Sequence, residues 1–151
     1  MEKLPELTFF TELDADKLSE LFSNRFVIDD LRALNAGVSL GLLDLSPERA
    51  EVVKKLNRFK IPTIAWLLLP KEQGYWFNLE NVSFAIARYE AFKDWSKQNR
   101  LEWVGVGLDI EPNFSEAEAF QEKDLRVIKP ALKRLFNKQE YLDSAMAYRG
   151  L

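Results

Sequence analysis

Four apolar runs separated by stretches of helical periodicity leave this chain few ways to fold. They are "LTFFTEL" (7–13), "VSLGLLDLS" (38–46), "IPTIAWLLLP" (61–70) and "EWVGVGLDIEP" (102–112). Near-continuous apolar strands alternating with helices indicate a parallel sheet covered by helices, because each crossover has to carry the chain back to the same end of the sheet. The runs predict strands at about 7–13, 38–45, 62–69 and 102–110.

The helix signals between the runs agree. Ser46 can cap and Pro47 can take the first helical position of "ERAEVVKKLNRF", whose Ala50, Val53, Leu56 and Phe59 fall on one face. Asp14 or Asp16 opens one helix after the first strand, and "IDDLRALNAG" reads as a second, ended at Gly37. Asn78 begins a longer helix containing Phe84, Ala87, Ala91 and Trp95. After the fourth strand, "SEAE" (115–118) has the capping-box form, with a helix expected to about Phe136 and a kink at Pro130. The tail from Gln139 to Leu151 also reads as helical.

Four such βα units make half of an eight-stranded barrel, so the expected fold is α/β: a single partial domain over 1–151, a (β/α)4 half or truncated part of a TIM-like barrel. Half a barrel leaves two sheet edges unpaired. A second copy in a homodimer, or a missing C-terminal half-barrel, is therefore the expected protein partner. A complete four-stranded doubly wound domain is the structural alternative.

Composition narrows the chemistry. With 47% hydrophobic and 30% charged residues the chain reads as globular, and its net charge of −3, from 21 basic and 24 acidic residues scattered along 151, offers no concentrated positive field for nucleic acid. Cysteine is absent, which removes disulfides and thiol nucleophiles. Histidine is absent too, which removes histidine general bases, serine–histidine triads and most transition-metal sites. Catalysis would have to rest on Asp, Glu, Lys, Tyr or a hard cation held by oxygen. No run of about 18 apolar residues occurs and "MEKLPELTFF" lacks a cleavable leader pattern, so no membrane partner is expected and the reading is cytoplasmic, if this is the native start.

The most informative stretch is "WVGVGLDIEPNF" (103–114). Alternate positions put Val104, Val106, Leu108 and Ile110 on one face and Trp103, Gly105, Gly107, Asp109 and Glu111 on the other. The oily face suits contact with helices, and the small-then-acidic face suits the crowded inside of a barrel, with the acids at the C-terminal mouth where barrel enzymes keep their chemistry. Asp109 and Glu111 share a face with Cβ atoms roughly 6–7 Å apart from the strand rise. Carboxylates that close in a partly dry cleft do not ionise equally well, so the pair would supply one proton donor and one anion, which is what glycoside hydrolysis requires. The competing reading is that both merely cap a turn or pair with surface Lys or Arg.

Glu12 ends the first run and Asp44 the second, while "PKEQGYWFN" carries Gln73, Tyr75, Trp76 and Phe77 in the loop after the third, unless that loop folds back over the core. Aromatic rings beside carboxylates suit a sugar, whose C–H face stacks on the ring while its hydroxyls meet the acids. Trp66, inside the third run, is expected to be core packing. The alternative is a phosphodiesterase or isomerase barrel holding Mg²⁺ or Ca²⁺ through Glu12, Asp44, Asp109 and Glu111. A non-catalytic fragment needing its other half is a further one.

"GVGLDIEP" (105–112) resembles the fourth-strand motif of glycoside-hydrolase-like (β/α)8 barrels, in particular the end of the chitinase-type Asp-Gly-x-Asp-x-Asp-x-Glu signature. The resemblance implies a proton donor at Glu111, a neighbouring acid at Asp109 and the glycine at Gly105; Val104 and Gly107 stand where that family has Asp. It implies a sugar-active hydrolase with Glu111 and Asp109 catalytic; from their places at strand ends and in the loop, Glu12, Asp44, Gln73, Tyr75 and Trp76 are expected to bind the carbohydrate substrate, and neither metal nor other cofactor is expected.

Overall fold

The computed structural model describes residues 7–111 and 138–148. The predicted "SEAE" cap, the helix to Phe136 and the Pro130 kink lie outside the described residues. In chain order the elements are β1 (Thr8–Thr11), α1 (Ala15–Ser23), α2 (Arg25–Ala33), β2 (Gly37–Leu42), α3 (Pro47–Arg58), β3 (Thr63–Leu67), a 3-10 turn (Lys71–Gln73), α4 (Val82–Asn99), β4 (Gly105–Leu108) and α5 (Lys138–Tyr148). The strands form one sheet in the order β1-β2-β3-β4, every pair parallel. The fold is α/β with strands alternating with helices, consistent with a half-barrel.

The chain divides into two compact units. The first takes the residues up to Leu67 together with Ala91–Leu108, and the second takes Leu68–Glu90 together with the described residues from Asp109 onward.

In the first unit, all six residues of β2 are buried, as an interior strand of a helix-covered parallel sheet requires. The register aligns Val38, Leu40 and Leu42 with Thr63, Ala65 and Leu67 of β3, and these with Val106 and Leu108 of β4. The β2 and β3 members of that face are at most 2% exposed and form the core with Leu18, Ile28, Val53 and Leu56 of the helices. At about 25 cal/mol per Å² of apolar surface, each such Leu or Ile contributes on the order of 2 kcal/mol.

The other face follows a different rule. Ser39 and Gly41 of β2 are small, and over them Phe10 of β1 meets Trp66 of β3 edge-on, ring centroids 6.0 Å apart. Trp66 is thus corrected from core packing: it is half-buried on the face opposite the main core, with Phe10 70% exposed beside it. Gly41 leaves room for the neighbouring strand end, since a Cβ there would stand 3.1 Å from Glu12 Cγ and 3.2 Å from the Thr11 carbonyl. The outer strands, "TFFT" and "GVGL", carry no charge or proline, the usual guards of an unpaired edge.

The helix ends explain two further corrections. Ser46 caps α3 as expected, its hydroxyl accepting from the Arg49 N–H, with Pro47 at the first position. The helix closes at Arg58, so Phe59 becomes its C-cap, 38% exposed, instead of continuing the buried stripe. The α2 helix closes at Ala33 and Gly37 opens β2; the left-handed residue expected of that glycine is Asn35, at φ +49°. The same turn recurs after α3 at Lys60 (φ +58°) and after α4 at Arg100 (φ +56°). Each is a Schellman motif with paired bonds back into the helix: Asn35 and Ala36 to Arg32 and Leu31, Lys60 and Ile61 to Asn57 and Leu56, Arg100 and Leu101 to Lys97 and Ser96.

Candidate functional site

The loop after β3 is built by two asparagines. Asn78 Oδ1 accepts from the Glu80 and Asn81 N–H groups while Asn81 Oδ1 accepts from the Asn78 N–H, the reciprocal geometry of a capping box. This corrects the helix start expected at Asn78: Asn78–Asn81 form a turn, and α4 starts at Val82 with the Asn81 carbonyl accepting from the Ala85 N–H at 3.0 Å. Both side chains are buried, and Asn81 Nδ2 spends its two protons on the Gln73 and Trp76 carbonyls at 2.9 Å. Gly74 is required beside this amide: its φ is +105°, and a Cβ would sit 2.7 Å from Asn81 Nδ2.

The loop is thereby held so that Phe77, fully buried, forms a parallel bridge to Ile110. Its N–H donates to the Asp109 carbonyl at 2.9 Å, and its carbonyl accepts from the Glu111 N–H at 3.0 Å. Tyr148 of α5 stacks on Phe77, ring centroids 6.4 Å apart, and donates its hydroxyl proton to the Asn78 carbonyl at 2.7 Å. Burial pushes that phenol up to about 12, so it remains a donor at neutral pH.

Five of the predicted residues therefore belong to the second unit. Gln73, Tyr75 and Trp76 are half-buried, Asp109 is half-buried and Glu111 is exposed. Tyr75 and Trp76 pack edge-on at 5.7 Å, Tyr75 at a left-handed φ of +63°. One bridge brings the aromatic loop and the acidic strand end side by side.

Glu12 and Asp44 belong to the first unit, where Glu12 is exposed and Asp44 already has structural work. Asp44 Oδ1 accepts from Arg49 Nε at 3.2 Å and from the Ser46 N–H at 3.0 Å, and Oδ2 from Arg49 Nη2 at 2.9 Å. Arg49 is 0% exposed and also donates to the Gly41 and Leu13 carbonyls, tying the ends of β1 and β2 to the start of α3. Burial alone would raise the Asp44 carboxyl. The hydrogen bonds from Arg49 and Ser46, with the guanidinium charge, outweigh it and hold the carboxyl well below the usual carboxylate range.

Sequence reading passed over Arg49, Asn81 and Tyr148. A signal existed for the first, since Arg49 stands four and seven residues before Val53 and Leu56 and so on their buried stripe.

Neither unit holds, among the described residues, a group of three or more carboxylates able to share a metal ion, so the hard-cation alternative finds no ligand set there. No helix of the described residues is long and apolar enough to cross a membrane. Three cavities of about 220, 340 and 360 Å³ lie in the first unit, and none is lined by a predicted site residue. Comparison with family models, curated proteins and solved structures returns no match.

Proposed function

We propose that this chain is a sugar-directed α/β module of the glycoside-hydrolase kind, with Glu111 as general acid and Asp109 as its neighbouring anion. The observation that carries the reading is the Phe77–Ile110 bridge, which sets the Asp109–Glu111 segment beside the Tyr75–Trp76 loop within one compact unit. An exposed Glu111 can deliver a proton to a glycosidic oxygen, and a half-buried Asp109 can steady positive charge at the anomeric carbon. The rings of Tyr75 and Trp76 would receive the C–H face of the sugar, and Gln73 its hydroxyls. Asp44, with both oxygens engaged by Arg49 and Ser46, serves in this scheme to order the strand ends.

The test is hydrolysis of activated aryl glycosides. Wild-type turnover, abolished in Glu111→Gln with an unchanged circular-dichroism spectrum and melting temperature, is the expected outcome. Trp76→Ala should raise KM more than it lowers kcat, as loss of a stacking surface does. Unchanged turnover in Glu111→Gln removes that residue from the mechanism, and no turnover by the wild-type protein across α- and β-linked substrates overturns the hydrolase reading.

A further inference from the structure

The first unit carries a cationic cavity that the sugar-directed reading does not use. It measures about 340 Å³ and opens where the turns after α2 and α3 run side by side. Arg32 comes from the last turn of α2, Arg58 from the last turn of α3, and Lys60 from the turn that follows it; all three are exposed and line the cavity. No Asp or Glu lines it. Among the described residues none of the three side chains has an ion-pair or hydrogen-bond partner, in a chain whose acids outnumber its bases.

Basic residues in a last helical turn ordinarily complement the helix dipole and the open carbonyls there. That accounts for Arg32 and Arg58 only in part. The Schellman turns already close the carbonyls of Leu31, Arg32, Leu56 and Asn57 with backbone N–H groups, which leaves the guanidinium groups their donors. Lys60 lies beyond the helix at φ +58°, a conformation that glycine adopts without strain, so its cation is present at a conformational cost. The rest of the wall is Asn35 and a set of apolar residues that includes Phe59, Ile61 and Pro62, with Phe59 38% exposed.

We propose that this cavity binds a small phosphate monoester, with Arg32, Arg58 and Lys60 on the phosphate oxygens and Phe59 and Pro62 against its organic part. A guanidinium fork matches two phosphate oxygens at once, and two forks with an ammonium offer more charge-assisted donors than a monoanion can use. The volume lies within the range of small-ligand sites. The inference uses residues of the first unit alone and stands or falls independently of Glu111 and Trp76.

Titration of the full chain with phenyl phosphate, followed by calorimetry and amide NMR shifts, tests it. Phenyl phosphate should bind saturably and more tightly than inorganic phosphate, and sodium chloride at matched ionic strength should not reproduce the shifts at Arg32–Ala36 and Arg58–Pro62. Arg32→Gln and Arg58→Gln should each weaken binding by about tenfold or more, as loss of a charge-assisted bond does. Lys60→Gly separates binding from folding, because it should raise the melting temperature by relieving the left-handed backbone and yet weaken phenyl phosphate binding several-fold. Equal affinity in the Arg32→Gln/Arg58→Gln protein, no saturable binding at about 10 mM ligand, or inorganic phosphate binding as tightly as the ester would each overturn the proposal.

Discussion

Each unit ties backbone carbonyls at or beyond the end of a strand with one buried side chain, by different chemistry. In the first unit a fully buried guanidinium gathers the Leu13 and Gly41 carbonyls and the Asp44 carboxylate. In the second a neutral amide, Asn81, gathers the Gln73 and Trp76 carbonyls and the Asn78 N–H. A buried charge is held only as long as every partner is present, because stripping one away leaves uncompensated charge in a poorly polarisable interior. A buried amide risks only its own desolvation. The first tie should be the stronger and sensitive to acid, the second weaker and indifferent to it.

The sharpest way to break this contrast is to remove the guanidinium. Arg49→Ala leaves a cavity and the Leu13 and Gly41 carbonyls without their donor, while Asp44, 44% exposed, regains water, and should cost about 2–4 kcal/mol in urea unfolding; a loss under about 1 kcal/mol would show that the tie is ornamental. Asn81→Ala should cost about 2 kcal/mol, with the Asn78 amide exchanging faster while β2 amides keep their protection. Uniform exchange throughout would mean that the amide's effect is not local.

Acid titration sharpens the comparison further. The folded-state pKa of Asp44 lies below its unfolded value, so its contribution is fully present above about pH 4 and is lost as pH falls through the folded value. Wild-type stability should therefore decline below about pH 4, and Asp44→Asn should be less stable at neutral pH with a flatter acid limb. An Asp44→Asn limb as steep as the wild type would assign the acid sensitivity to other carboxylates. The smallest expected effect is a gain: Arg100→Gly, at φ +56°, should stabilise by about 0.5–1 kcal/mol, measured as a rise in melting temperature.

Elements whose cause is local were legible without coordinates. Ser46 and Pro47 announce α3 because a hydroxyl and a fixed φ serve an N-terminus in any context, and the alternation of 103–111 matches the parity of β4, with Val106 and Leu108 in register with Ala65 and Leu67. Local pattern misplaces the stop of α2 because glycine is only the cheapest residue for a left-handed turn; three turns here use Asn, Lys and Arg instead. Trp66 was misassigned because an apolar strand residue looks alike on either face, and the small Ser39 and Gly41 of the neighbouring strand decide what meets it.

The α/β order, the parallel sheet and the alternation of the fourth strand are readable along the linear chain, since they follow from periodicity, capping and crossover length, although Val106 and Ile110 of its oily face are exposed. Only the packed chain decides with whom each buried polar group pairs. Arg49 meets carbonyls from β2 and from Leu13, two residues past β1, Asn81 holds a turn eight residues away, and Phe77 finds Ile110 across 33 positions. Such meetings are made by the path of the backbone between the partners, and no local pattern in either partner records them.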